Sequence, residues 1–138
     1  MMLFSEARGL PVTAPGVVEP LGTVTSLGVD AASATVSHVR LRAGRLRRET
    51  VLPWDSVLTA GPGAVRVRAP TPLEQAPPRR ELLGHRVLTD TGTEQGTVLD
   101  AAFDPATGRL LALFTSRGEL PPARLLRLGD HALVVRAS

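Results

Sequence analysis

EQGTVLDAAFDPATGRLLALF, residues Glu94 to Phe114, restates a line that the chain has already written once. Pro20 to Leu41 reads PLGTVTSLGVDAASATVSHVRL. Gly96-Thr97-Val98 falls 74 positions after Gly22-Thr23-Val24, and Asp104 stands at the same distance from Asp30. The likeness extends outward. Gly9 matches Gly84, Gly61 matches Gly129, and Val65 and Val67 match Leu133 and Val135. Past residue 40 the offset drops from 74 to 68, so the second copy is six residues shorter in its central hairpin. Self-similarity of this kind marks a chain built from two copies of one small unit.

The period inside each copy is that of strands. Short apolar segments recur between Gly, Pro, Asp and Thr, and helical periodicity is weak. Residues 23–29 and 97–103 read as strands, 35–41 and 109–115 as the strands that follow, and 64–69 and 132–137 as closing strands. Single helical turns are expected near 53–57 and 123–128. The turns are spelled out. In DPATGR, Asp104 can cap its own backbone, Pro105 presets φ, and Gly108 accepts positive φ. The first copy's DAASAT keeps Asp30 but has lost the Pro and the Gly. APG (14–16) and DTG (90–92) are matching hairpin turns after the first strand of each copy. APTPLEQAPPRR (69–80), with Pro70, Pro72, Pro77 and Pro78, reads as an extended, semi-rigid linker. The resulting division is a first repeat over 1–70, a Pro-rich linker over 71–80 and a second repeat over 81–138. Each repeat alone is small for a stable core, so the two are expected to pack together.

In order, these elements resemble the PRC-barrel family, the small barrel of the photosynthetic reaction-centre H subunit and of a ribosome-maturation factor's C-terminal domain. The first copy carries Gly9 to Val12, Leu21 to Val24, a strand ending in Asp30, Leu52-Pro53-Trp54, and Gly61 followed by Val65 and Val67. The second carries Leu83-Gly84, GTVLDAAFDPATGRLLAL and GDHALVV. The resemblance covers nearly the whole chain and implies an all-β fold of two tandem PRC-type β-barrels joined by the Pro-rich linker. It also implies a habit of binding other proteins. Two features depart from it: the chain has no N-terminal membrane helix of the H-subunit kind, and Pro122 stands where the first copy has Trp54. Trp54, the only tryptophan, is expected to be buried as the lid of the first barrel.

Composition removes several classes of function. The chain has no cysteine, hence no disulfide, thiolate metal site or cysteine nucleophile. It has no lysine, so no phosphate-loop lysine. No stretch is apolar for the roughly 20 residues a membrane helix needs, and MMLFSEARGL meets Glu6 too early for a signal peptide. A cytoplasmic protein without an integral membrane segment is expected. His38, His85 and His131 are spread over both copies without metal-ligand spacing and read as surface or capping histidines. Asp100 and Asp104 lie in a strand and its turn. Neither catalytic residues nor a metal or other cofactor are expected, and the chain reads as non-enzymatic.

Charge is uneven. Residues 1–70 hold eight arginines against five acids, whereas 71–138 hold eight against eight. The surplus concentrates in HVRLRAGRLRRE, His38 to Glu49. A two-residue turn at Ala43-Gly44 would set Arg42 across from Arg45, Arg40 across from Arg47 and His38 across from Glu49, all on one face, with Leu41 and Leu46 on the other. Like charges placed opposite one another repel. Arg40, Arg42, Arg45 and Arg47 are therefore expected in solvent, as a surface for an anionic partner. An arginine-rich composition, with all 16 basic residues arginine, explains the same run without a partner. Together these readings point to a protein-binding or adaptor module, with homo-oligomers compatible. The alternatives are a ribosome-assembly or RNA-associated accessory protein using the basic hairpin, and a peripheral membrane adaptor.

Overall fold

The computed structural model describes residues 1–44, 49–68 and 71–137. The fold is all-β apart from one helical turn, α1 (Phe4–Ala7), and two 3₁₀ turns (Trp54–Ser56 and Pro122–Arg124). The first copy forms β2 (Pro11–Thr13), β3 (Gly22–Asp30), β4 (Thr35–Arg42), β5 (Glu49–Pro53), β6 (Val57–Gly61) and β7 (Ala64–Val67). The second forms β8 (Arg86–Thr89), β9 (Glu94–Phe103), β10 (Leu110–Thr115), β11 (Gly118–Leu120), β12 (Leu125–Leu128) and β13 (Ala132–Val135). Strand order in the first sheet is β5-β4-β3-β2-β7-β6, and in the second β11-β10-β9-β8-β13-β12. These are the same order, element for element. Each contains one parallel pair, β2 with β7 and β8 with β13. The sequence repeat is a repeat of topology.

The two copies differ from expectation in one respect: among the described residues neither sheet closes into a barrel, since no ladder joins β5 to β6 or β11 to β12. They come close to doing so. The outer strands of a flat six-stranded sheet would lie about 24 Å apart. Pro53 and Val57 are four residues apart, a reach of at most about 14 Å, so the sheet must curl to bring its edges together. Pro53, ending β5, has no N–H to add to a ladder, and the 3₁₀ turn carries the chain across the seam. Pro121 and Pro122 occupy the matching seam of the second copy. There, the expected helical turn at 123–128 shrinks to the 3₁₀ turn, and Leu125 onward is strand.

Inside each curl lies apolar core. Val12, Val39, Leu52, Val65 and Val67 are fully buried in the first copy, and Val87, Val98, Leu113, Leu133 and Val135 in the second. The cores merge into one cluster. Thr35 bridges Arg109, its own counterpart 74 positions on. The hydrogen bonds flanking that bridge are reciprocal: Val36 N–H donates to Gly108 O (2.7 Å) and Leu110 N–H to Ala34 O (2.9 Å). The copies therefore meet about a local pseudo-two-fold axis. The residues bonded across it end the matched turns and open β4 and β10, and in those turns Asp30 and Asp104 each accept from the backbone two residues on. Gly108 has φ +79°, and Ala34 holds φ +55° without being glycine.

Three of the chain's four aromatic residues gather at this junction. Phe103 makes edge-to-face contacts with Phe4 (5.4 Å between centroids) and with Trp54 (5.7 Å). Trp54 also lies against Gly108, where an added Cβ would come within 2.9 Å of the indole. Trp54 is thus half-buried between the copies, where the sequence suggests a largely buried lid of the first alone. Its ring reaches across because the second copy offers a large apolar partner, Phe103, and a turn without a side chain. The N-terminus crosses too: β1 (Met2–Leu3) pairs with β9, Met2 opposite Phe103 and Leu3 opposite Ala102.

Candidate functional site

The basic hairpin does not take the register its arginines suggested. Arg42 pairs with Glu49, Leu41 with Thr50, Arg40 with Val51 and His38 with Pro53. This places Val39 against Leu52, both fully buried, and an acid opposite Arg42 in place of a second arginine. Leu41 points inward as expected. Arg45, Leu46 and Arg47 lie outside the described residues. Of the four proposed arginines, the structure describes two and separates them: Arg42 is exposed at the end of β4, whereas Arg40 is buried.

What buries Arg40 is the linker. From His38 to Leu41 every residue of β4 is buried. Val39 and Leu41 face the core, while His38 and Arg40 face a strap formed by residues 77–81. The Arg40 guanidinium donates to the Pro77 carbonyl (2.5 Å). Burial pulls its pKa below the usual arginine value, the Arg79 charge adds to this, and Glu81 opposes it. The strap is also held by ion pairs. Arg79 binds Glu49 and Glu81, and Thr25 donates to the far oxygen of Glu49 (2.5 Å). Farther back, Leu73 N–H donates to Val51 O on β5 (2.9 Å). The segment that reads as a spacer is in fact the outer cover of the first sheet.

Under this strap sits His38. Its Nδ1 shares a hydrogen bond with the Ser37 hydroxyl (2.9 Å). Its ring lies on Gly28, its cross-strand partner, so closely that a Cβ at position 28 would fall about 2 Å from Cε1 and Nε2. Burial and, second, the Arg40 charge hold His38 below the ordinary histidine value, so the ring is neutral at pH 7. Beside it opens a cavity of about 110 Å³ lined by Gly28, Val29, Ser37, His38, Pro77, Pro78, Arg80 and Leu128. It lies between the first sheet, the strap and β12 of the second copy. Arg80 is anchored through Nε to Asp130 (2.8 Å). Asp130 is held below the usual carboxylate range by that hydrogen bond and the Arg80 charge, with smaller contributions from His131 and His85.

A second concavity lies on the outer face of the first sheet. It is an open groove of about 390 Å³ lined by Pro11, Pro20, Gly22, Thr23, Thr25, Arg42 and Gly44. Pro11, Thr23, Arg42 and Glu49 form one cross-strand row over β2 to β5. Because Arg79 and Thr25 engage Glu49, Arg42 has no ion-pair partner among the described residues.

The three histidines stay apart: His85 bonds the Gly129 carbonyl through Nε2 (3.0 Å), and His131 is exposed. His38 is the residue that reading by type passed over as a surface or capping histidine. The signal was present in the repeat, where Gly28 and His38 align with Ala102 and Ala112. Among the described residues no helix is long and apolar enough to cross a membrane. Comparison with protein-family models and with curated protein sequences finds no match to this chain.

Proposed function

We propose that the chain is a non-enzymatic, cytoplasmic adaptor made of two PRC-type barrel repeats, binding another protein through the outer face of the first. The observation that carries this is the open groove beside Arg42. It is concave, rimmed by prolines and threonines, and holds a cation whose cross-strand acid is engaged elsewhere. An extended segment carrying a carboxylate suits it, since a guanidinium can grip both carboxylate oxygens while the flat Pro11 and Pro20 rings take apolar contact. The shared strand order of the two curled sheets is in keeping with tandem PRC-type units. The surplus of arginine in the first copy favours the same side of the molecule.

Affinity purification of the wild type and Arg42→Glu from the native host tests this. The expected result is one protein partner retained at moderate salt by the wild type and strongly depleted by Arg42→Glu, with unchanged thermal stability. Co-elution of RNA that falls away with salt would replace this reading with the RNA-associated one, and flotation with anionic vesicles would replace it with the membrane one. Capture undiminished by Arg42→Glu removes the groove from the argument.

A further inference from the structure

The repeat contains its own control for one feature. Gly28 pairs with His38 on β3 and β4, and the matching residues Ala102 and Ala112 pair at the same point of β9 and β10. The covers differ as well. In the second copy, β1 pairs along the free side of β9, with Leu3 opposite Ala102. Aligning Gly9 with Gly84 puts Pro77 and Pro78 in the place of Met2 and Leu3. Two prolines carry no N–H and cannot build that ladder. A cavity stands where the second copy has a paired strand. The fold requires neither the imidazole nor the cavity, because an Ala–Ala pair beside a short paired strand does the same structural task in the second copy.

We propose that this cavity is a binding site for a small oxyanion, held by His38, Arg80 and Ser37. The residues lining it offer donors and no carboxylate. Among the described residues Asp130 engages only Nε of Arg80, leaving the two terminal nitrogens of the fork without a partner. Ser37 occupies Nδ1 of His38, and Nε2 lies at the Gly28 wall. Val29, Pro77, Pro78 and Leu128 make the remaining walls apolar, which strengthens each charged contact inside. The surrounding charges are mixed: Arg40 and Arg79 against Glu49, Glu81 and Asp130, carboxylates that ion pairs with Arg79 and Arg80 already use. Binding and protonation are coupled here. An anion offsets the Arg40 repulsion and the burial that keep His38 neutral, so occupancy draws a proton onto the imidazole. At about 110 Å³ the space suits one phosphate or carboxylate group, well short of the several hundred Å³ typical of larger ligands.

The experiment follows the histidine ring Cε1–H resonances of the full chain at fixed ionic strength, during titration with inorganic phosphate and, separately, acetate. His38→Ala identifies the His38 signal. The expected result is a saturable shift of His38 and a rise in its apparent pKa, with His85 and His131 unmoved. A response to phosphate alone assigns a phosphate site, and a response to acetate alone a carboxylate site. Arg80→Gln alters a partly exposed side chain and keeps the fold, yet weakens binding by about tenfold or more, as loss of a charge-assisted contact should. As a second readout, phosphate raises the thermal midpoint of the wild type but not that of Gly28→Ala/His38→Ala, which restores the second copy's pair. No shift of His38 with either anion overturns the proposal, as does an equal shift in Arg80→Gln.

Discussion

Replacing Gly28 with alanine should destabilise the protein, and replacing His38 with alanine in the same chain should largely undo the damage. In an ordinary strand, alanine is better than glycine by about 0.5–1 kcal/mol. Here the new Cβ would fall within 2.4 Å of three His38 ring atoms. The imidazole must leave its site, losing its hydrogen bond to Ser37 and its packing under the strap. Forced repacking of this kind costs about 1–3 kcal/mol, so the net loss for Gly28→Ala is about 1–2 kcal/mol. His38→Ala alone removes a buried ring and leaves space above a glycine, for a loss of about 1–2 kcal/mol. The double variant recreates the Ala102–Ala112 pair and should lie within about 1 kcal/mol of wild type. The coupling is then about 2 kcal/mol, well beyond the roughly 0.5 kcal/mol scatter of independent sites. Urea unfolding followed by far-ultraviolet circular dichroism gives all four stabilities. Additive losses, or a Gly28→Ala variant within about 0.5 kcal/mol of wild type, would refute the reasoning.

Trp54→Ala should cost about 2–4 kcal/mol, less than a fully buried tryptophan, and show about 1 kcal/mol of coupling to Phe103→Leu in a double-mutant cycle; additivity would show that the two rings do not act together. Arg40→Ser should destabilise by about 1–2 kcal/mol through loss of the Pro77 anchor, whereas Arg42→Ser should stay within about 0.5 kcal/mol of wild type, both by urea titration. Substituting all four hairpin arginines therefore perturbs the strap as well as the surface. His38 is depressed below 6.5, so the unfolded chain takes up its proton first as pH falls. Stability should drop from about pH 6.5 down to the folded value and level off below it, and this step should vanish in Gly28→Ala/His38→Ala. Ala34→Gly should stabilise by up to about 1 kcal/mol, because alanine at φ +55° is held in a left-handed conformation that glycine adopts freely; a loss on thermal melting would contradict this.

The repeat was legible because it rests on local chemistry. Asp30 and Asp104 cap the same turn, Val65 and Leu133 close the same parallel pair, and period-two alternation marks β3, β4, β9 and β10. Such signals act over a few residues and survive in the bare string. The bounds of the short edge strands β5, β6, β11 and β12 were not legible, since segments of three to five residues carry too little period-two pattern to mark their ends. Nor was the burial of Arg40, whose type and spacing place it on an outer sheet face. Only the tertiary structure lays residues 77–81 over that face and turns a solvent-facing row into an interior one. The same holds for Trp54, whose partner Phe103 lies in the other copy. Sequence by itself determined that one all-β unit is written twice. Tertiary structure decided how the copies meet, because contacts across the pseudo-two-fold axis and under the strap join residues about 40 to 75 positions apart, beyond the reach of any local pattern.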